Sequence, residues 1–319
     1  MRKSKFIHCI DSHTAGEPTR LVIDGLPVIK GNNLKQKTKY FSNKLDNYRS
    51  ILTGEPRGHA PMHAAIYIPS NSKKSDFGLI LMSALGYSDM CGHALIGSIT
   101  SLINSKKLSF KKSKNLIKIE TCAGIITVTT NWNKKNIESI SFVNQKSFSI
   151  KEDFIINIPE YGKFTVNFAY GGLWYIIVNS KEIGIKIEKK NLNKLIIAGK
   201  KIRMKINSRI DKIKSKIQLP EKFPQTLFFD EINSKYGRNF VTSDELGFDR
   251  SPCGTGCCAR LALMYSQGKI KEKQNYIQKS IIDTSFNTRI VKVSKNGNIL
   301  PEITGSAYIT GINKIYLDP

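Results

Sequence analysis

Short runs that are apolar, or that alternate apolar with polar residues, occur at 117–120, 125–129, 164–168, 174–178, 226–229, 290–293 and 307–309, and they predict β-strands spread along the chain. Ile202, Ile206, Ile210, Ile213 and Ile217 recur instead at helical spacing with Lys and Arg between them, which predicts one amphipathic helix over 195–217. No large aromatics accompany these isoleucines, so the pattern favours a helix covering a core over one lying on a membrane surface. Two more apolar stretches, 94–103 and 259–264, read as buried helices. Each follows a Cys-Gly pair in a similar context: Leu85-Gly86-Tyr87 precedes Met90-Cys91-Gly92-His93, and Leu246-Gly247-Phe248 precedes Pro252-Cys253-Gly254-Thr255. The two cysteines are 253 − 91 = 162 positions apart, close to half of the 319 residues, so the chain reads as two related halves.

Composition narrows the class. A chain of this length can hold two domains with their own cores, and 40% hydrophobic with 24% charged residues is the balance of a folded globular protein. The apolar run after Arg2, Lys3 and Lys5 is broken at Asp11, too short for a signal peptide, and no stretch reaches the roughly 18 apolar residues of a spanning helix. A cytoplasmic location is the expectation, and Cys9, Cys91, Cys122, Cys253, Cys257 and Cys258 are then reduced thiols. The net charge of +25 raises nucleic acid and anionic membranes as partners. Neither is expected, because lysine pairs such as 106–107, 189–190 and 200–201 are scattered without interleaved aromatics or a nucleic-acid module.

The Cys-Gly elements carry the chemistry. A helix N-terminus presents unpaired N–H groups and a partial positive charge, so it binds anions and favours the thiolate of a cysteine placed there. Glycine after the cysteine allows close backbone approach to a ligand. Two such ends facing each other would hold one carboxylate between two thiols, one able to remove an α-proton while the other delivers a proton. Cys253, Cys257 and Cys258 lack the paired spacing of a zinc site, and Gly254-Thr255-Gly256 lacks the Gly-Lys-Ser/Thr of a phosphate loop. No metal and no cofactor is expected. A thiol-disulfide redox protein would want a Cys-x-x-Cys pair, which is absent from the sequence.

Asp11-Ser12-His13-Thr14-Ala15-Gly16-Glu17-Pro18-Thr19-Arg20, Glu55-Pro56-Arg57-Gly58-His59, Met90-Cys91-Gly92-His93 and Asp249-Arg250-Ser251-Pro252-Cys253-Gly254-Thr255-Gly256 resemble the proline racemase family, with Tyr170-Gly171-Gly172, 305–311 and the terminal Leu317-Asp318-Pro319 as further markers. The family includes proline racemases, 4-hydroxyproline 2-epimerases and trans-3-hydroxyproline dehydratases. The resemblance implies an α/β (α+β) fold of the diaminopimelate epimerase-like kind, two pseudo-symmetric halves each with a curled sheet around a central helix. The expected halves are 1–124, joined by a returning 300–319 and carrying Cys91, and 125–299, carrying Cys253. It also implies Cys91 and Cys253 as the acid and base, the backbone N–H groups of Gly92, His93, Gly254 and Thr255 as carboxylate binders, and His93 and Asp249 as contacts of the ring nitrogen. A homodimer is compatible with this reading.

The dehydratase branch carries Thr where Cys253 stands, so two thiols favour inversion of an imino acid over dehydration. Leu21-Val22-Ile23 and Trp174 look more like the hydroxyproline epimerases, which makes trans-4-hydroxy-L-proline to cis-4-hydroxy-D-proline the expected reaction and proline racemisation the alternative. Trp174 is a candidate for lining the pocket and donating through its indole N–H. The sequence departs from the family pattern at Cys257 and Cys258, where Thr and Ser are usual, at Leu173, where Asn is common, and at Asp283, where Gly is usual.

Overall fold

The computed structural model describes residues 6–70, 74–107, 115–133, 136–150, 153–214, 219–243 and 247–317. Leu246, Ile217, Asp318 and Pro319, named above, lie outside them. Among the described residues there are six α-helices: α1 (Leu34–Lys44), α2 (Asp46–Thr53), α3 (Gly92–Asn104), α4 (Leu192–Asn207), α5 (Ile210–Lys214) and α6 (Gly254–Ser266). Every strand run predicted from the sequence falls inside an observed strand. The chain forms two compact units, one of Met1–Phe142 with Thr304–Pro319, the other of Val143–Ile303.

In the first unit, strand Phe6–Thr14 lies between Ala307–Tyr316 and Glu17–Asp24, antiparallel to both. Glu17–Asp24 then pairs in parallel with His63–Pro69, which is antiparallel to Phe77–Ser83; that strand runs parallel to Leu116–Thr121, which is antiparallel to Gly124–Asn133. The next strand, Asn136–Val143, pairs antiparallel with Gly124–Asn133, so the first unit continues through Phe142. Helices α1 and α2 cover one face of this sheet, with Phe41 and Leu52 in one cluster with Ile7, Val22, Ile66 and Ile80. Helix α3 packs against Phe6–Thr14, Glu17–Asp24 and Ala307–Tyr316. A helix containing Gly97, Ser98, Thr100 and Ser101 has little intrinsic helical preference. Burial holds it instead: Leu95, Ile96, Ile99 and Leu102 are fully buried, and each contributes about 1.5–3 kcal/mol.

The second unit repeats the same order of pairings. Gly162–Tyr170 is antiparallel to Trp174–Asn179, which is parallel to Gln225–Glu231; this is antiparallel to Tyr236–Ser243, which is parallel to Asn275–Lys279, and that is antiparallel to Ser285–Val293. In both units a short strand, Gly86–Ser88 or Gly247–Phe248, folds back on its neighbour and leads into the central helix. Side chains alternate across a strand. Ile176, Val178 and Phe228 therefore face α4, while Tyr175, Ile177 and Leu227 face α6.

The helix predicted over 195–217 is two helices, because α4 ends at Asn207 and α5 begins at Ile210. The Asn207 side chain accepts from the Phe223 N–H at 2.9 Å and donates to the Phe223 carbonyl at 3.1 Å, binding the neighbouring chain at the point where the helix stops. Leu195, Ile202, Ile206 and Ile210 still share one buried face, so the spacing located the face and missed the break.

Candidate active site

Cys91 occupies the N-cap of α3 with extended backbone, and Gly92 and His93 are its first helical residues. Their N–H groups belong to the first turn, which has no intrahelical acceptors. The Cys91 sulfur lies 3.4 Å from His93 Nδ1 and 3.8 Å from Nε2. Thr14 Oγ1 donates to the His93 carbonyl at 2.8 Å and ties this turn to strand Phe6–Thr14. Burial, together with the charge of neighbouring His63, holds the His93 imidazole well below its ordinary pKa, so it is neutral near pH 7. A Cβ on Gly92 would stand 2.9 Å from Phe142 Cζ, which explains the glycine after this cysteine by close packing.

Cys253 occupies the N-cap of α6, also a 13-residue helix, with φ +65°, a left-handed backbone that costs a non-glycine residue about 1–3 kcal/mol. A short chain of hydrogen bonds holds it there. Asp249 Oδ1 accepts from both the N–H and the hydroxyl of Ser251 at 2.8 Å, and the Cys253 N–H donates to the Ser251 hydroxyl at 3.1 Å. Gly254 and Thr255 supply the first-turn N–H groups. Gly171 explains its family marker physically: a Cβ there would lie 2.2 Å from the Thr255 carbonyl oxygen and 2.4 Å from the Ala259 nitrogen.

The helix-terminus effect does not set the state of the second thiol, contrary to the expectation from sequence. Burial, and then the charge of Asp249, push the Cys253 thiol well above its ordinary pKa; hydrogen bonding from Tyr175 and from the Gly256 N–H offsets this only in part. Tyr175 is the partner that the sequence did not reveal. Its buried phenol lies 3.3 Å from Cys253 Sγ and 2.6 Å from Thr255 Oγ1. The signal was its place in a strand run, next to Trp174 and on the opposite face.

That alternation corrects the reading of Trp174. Its ring packs edge-on to Phe148 at 5.4 Å and to Phe223 at 6.1 Å, against the cluster covered by α4, on the sheet face away from Cys253. Leu21 and Val22 are likewise core residues. Of the departures from the family pattern, the two cysteines are core residues. Cys257 and Cys258 are fully buried, with Cys257 donating to the Pro252 carbonyl at 3.3 Å and Cys258 accepting from Asn144 at 3.3 Å. Leu173 is largely exposed, and Asp283 sits in a turn at φ +67°, the conformation that makes glycine usual there.

Other motif residues hold the scaffold. Asp11 and Arg20 form a bidentate ion pair, and the same guanidinium donates to the Leu52 carbonyl at 2.9 Å. His13 accepts from the Gly16 N–H at 3.2 Å across the turn, and Glu17 is buried. No described helix is long and apolar enough to cross a membrane. The seven predicted site residues thus form two groups, Cys91, Gly92 and His93 in one unit and Asp249, Cys253, Gly254 and Thr255 in the other.

Two units of matching topology, each with a cysteine capping its buried central helix, define a diaminopimelate epimerase-like fold. The chain belongs to the proline racemase family, whose profile matches residues 9–319, and it is an isomerase of the racemase and epimerase class. It is 38% identical to the proline racemase of Acetoanaerobium sticklandii over 100% of this chain and 97% of that one. It is 34% identical to the trans-3-hydroxy-L-proline dehydratase of Bacillus thuringiensis subsp. konkukian, with the same coverage. A hydroxyproline epimerase from Agrobacterium vitis, solved with bound trans-4-OH-L-proline, superposes with a TM-score of 0.84 at 26% identity, over 100% of this chain and 95% of that one.

Proposed function

We propose that this chain inverts the α-carbon of L-proline, with Cys91 and Cys253 as the acid and base. The observation that carries the reading is the repeated element itself, a cysteine at the N-cap of the central helix of each unit. The first-turn N–H groups of Gly92, His93, Gly254 and Thr255 bind the substrate carboxylate, and His93 and Asp249 meet the ring nitrogen. One thiolate removes the α-proton and the other thiol protonates the carbanion from the opposite side. Cys253, kept as a neutral thiol by burial and by Asp249, enters as the acid, so Cys91 is the base in turnover from that state. The return reaction exchanges the roles.

Of the features that favoured hydroxyproline, Trp174 packs against the core under α4 and Leu21 and Val22 of Leu21-Val22-Ile23 are core residues, and the 38% identical relative is a proline racemase. L-proline therefore leads. The second reading, epimerisation of trans-4-hydroxy-L-proline, draws on the hydroxyproline epimerase structure that matches the whole chain. The test is incubation with each imino acid in D2O, following α-deuterium by NMR and inversion by polarimetry. Deuterium and inversion with a higher kcat/KM for L-proline support the first reading, and a higher kcat/KM for the hydroxylated substrate moves the assignment to the second. No α-deuterium with either substrate would discard inversion.

A further inference from the structure

His63 belongs to none of the motifs above, yet the fold brings it to Cys91 and His93. It opens strand His63–Pro69, and its ring stands edge-on to that of His93, with centroids 4.4 Å apart and planes at 87°. One ligand atom from each of His63, Cys91 and His93 lies within 4.8 Å of the other two. A tetrahedral zinc ion with Zn–S of about 2.3 Å and Zn–N of about 2.0–2.1 Å needs S···N near 3.5 Å and N···N near 3.3 Å. The Cys91 to His93 separation of 3.4 Å already fits. The remaining edges, each within 4.8 Å, need to close by at most about 1.5 Å, within reach of side-chain rotation at His63. His63 Nδ1 lies 3.2 Å from the Pro61 carbonyl oxygen. A carbonyl only accepts, so this contact places the ring hydrogen on Nδ1 and the lone pair on Nε2, the kind of outer hydrogen bond that orients a ligating imidazole.

We propose that His63, Cys91 and His93 form a reversible inhibitory site for a soft divalent cation of the zinc class, with water as fourth ligand. One thiolate and two imidazoles suit zinc and exclude magnesium or calcium, which prefer oxygen. Binding forms a sulfur–zinc bond and releases the Cys91 thiol proton to solvent; the bound sulfur can neither take nor give a proton. The inhibitory effect rests on the reading of Cys91 as one of the acid–base pair, whereas metal binding at the three residues does not.

The probe is cobalt(II), added to the full-length protein freed of metal with chelator. One equivalent should develop tetrahedral visible absorption with a sulfur-to-cobalt charge-transfer band, and zinc should bleach both. Cys91→Ser should abolish the charge-transfer band, while His63→Ala and the more conservative His63→Asn should weaken cobalt binding at least tenfold. Zinc should inhibit turnover of the wild type reversibly. The zinc concentration for half inhibition, each variant referred to its own zinc-free rate, should rise at least tenfold in both His63 variants. A charge-transfer band unchanged in Cys91→Ser, or zinc inhibition unchanged in both His63 variants, overturns the site. Cobalt bound through these residues with turnover intact overturns the inhibitory proposal by way of the Cys91 reading and leaves the metal site standing.

Discussion

The phenol oxygen of Tyr175 lies 3.3 Å from the sulfur of Cys253, inside the core of the second unit. Burial, and then the charge of Cys253, push the phenol well above its ordinary pKa, so Tyr175 remains a proton donor throughout the working range. A hydrogen bond to the thiolate favours the ionised sulfur. Tyr175→Phe keeps the ring and removes that donor, which raises the Cys253 pKa further. The expected result is a drop in kcat/KM of roughly 10- to 150-fold, from the 1.5–3 kcal/mol of a hydrogen bond to a charged group, with the limb that needs the Cys253 thiolate displaced to higher pH. A lower rate with an unmoved pH profile would reduce Tyr175 to a packing residue.

Cys91→Ser and Cys253→Ser should each lower α-proton exchange and inversion by more than about 100-fold, because a serine hydroxyl is too weak an acid to provide the base near neutral pH. Single variants with near-normal deuterium incorporation would show that the thiols are not the pair.

The buried thiols also predict how stability depends on pH. Burial pushes Cys9 and Cys258 up to about 12 from 9.0, and it pushes Cys257 well above its ordinary value too. A group whose folded pKa is raised binds its proton more tightly when folded, so its contribution is complete below about 9 and is lost as pH rises toward about 12. The melting temperature should fall steadily above pH 9, and the double variant Cys257→Thr, Cys258→Ser should fall less steeply. A flat profile from pH 8 to 11 in the wild type would contradict the burial of these groups.

Gly171→Ala places a methyl group 2.2 Å from a carbonyl oxygen of α6's first turn, and backbone there cannot yield as a flexible side chain can. The expected cost is about 1–3 kcal/mol of stability, together with a loss of turnover from displacing the Cys253 cap. Thermal unfolding and kcat measured on the same preparation test this, and a variant with unchanged Tm would mean that the turn and α6 are less closely held than the geometry indicates.

Much of the framework is local pattern. The strand runs at 117–120, 164–168 and 226–229, the buried helices after Cys91 and Cys253, and the apolar face of α4 all follow from periodicity, which is a property of neighbouring residues. The repeated Cys-Gly motif likewise named both thiols and placed each at a helix N-cap.

What periodicity cannot carry is which distant group each face meets and how much water remains there. The break between α4 and α5 depends on Asn207 reaching Phe223, and Trp174 and Tyr175, adjacent in sequence, were separated into core and site by the two layers packed on either side of their sheet. His63 comes to Cys91 only because Glu17–Asp24 pairs in parallel with His63–Pro69 and also packs against α3. The sequence determined that two thiols cap two buried helices. Tertiary structure decided their protonation partners and the direction of the Cys253 pKa, because desolvation and charge proximity arise only once residues far apart in the chain are assembled around the sulfur.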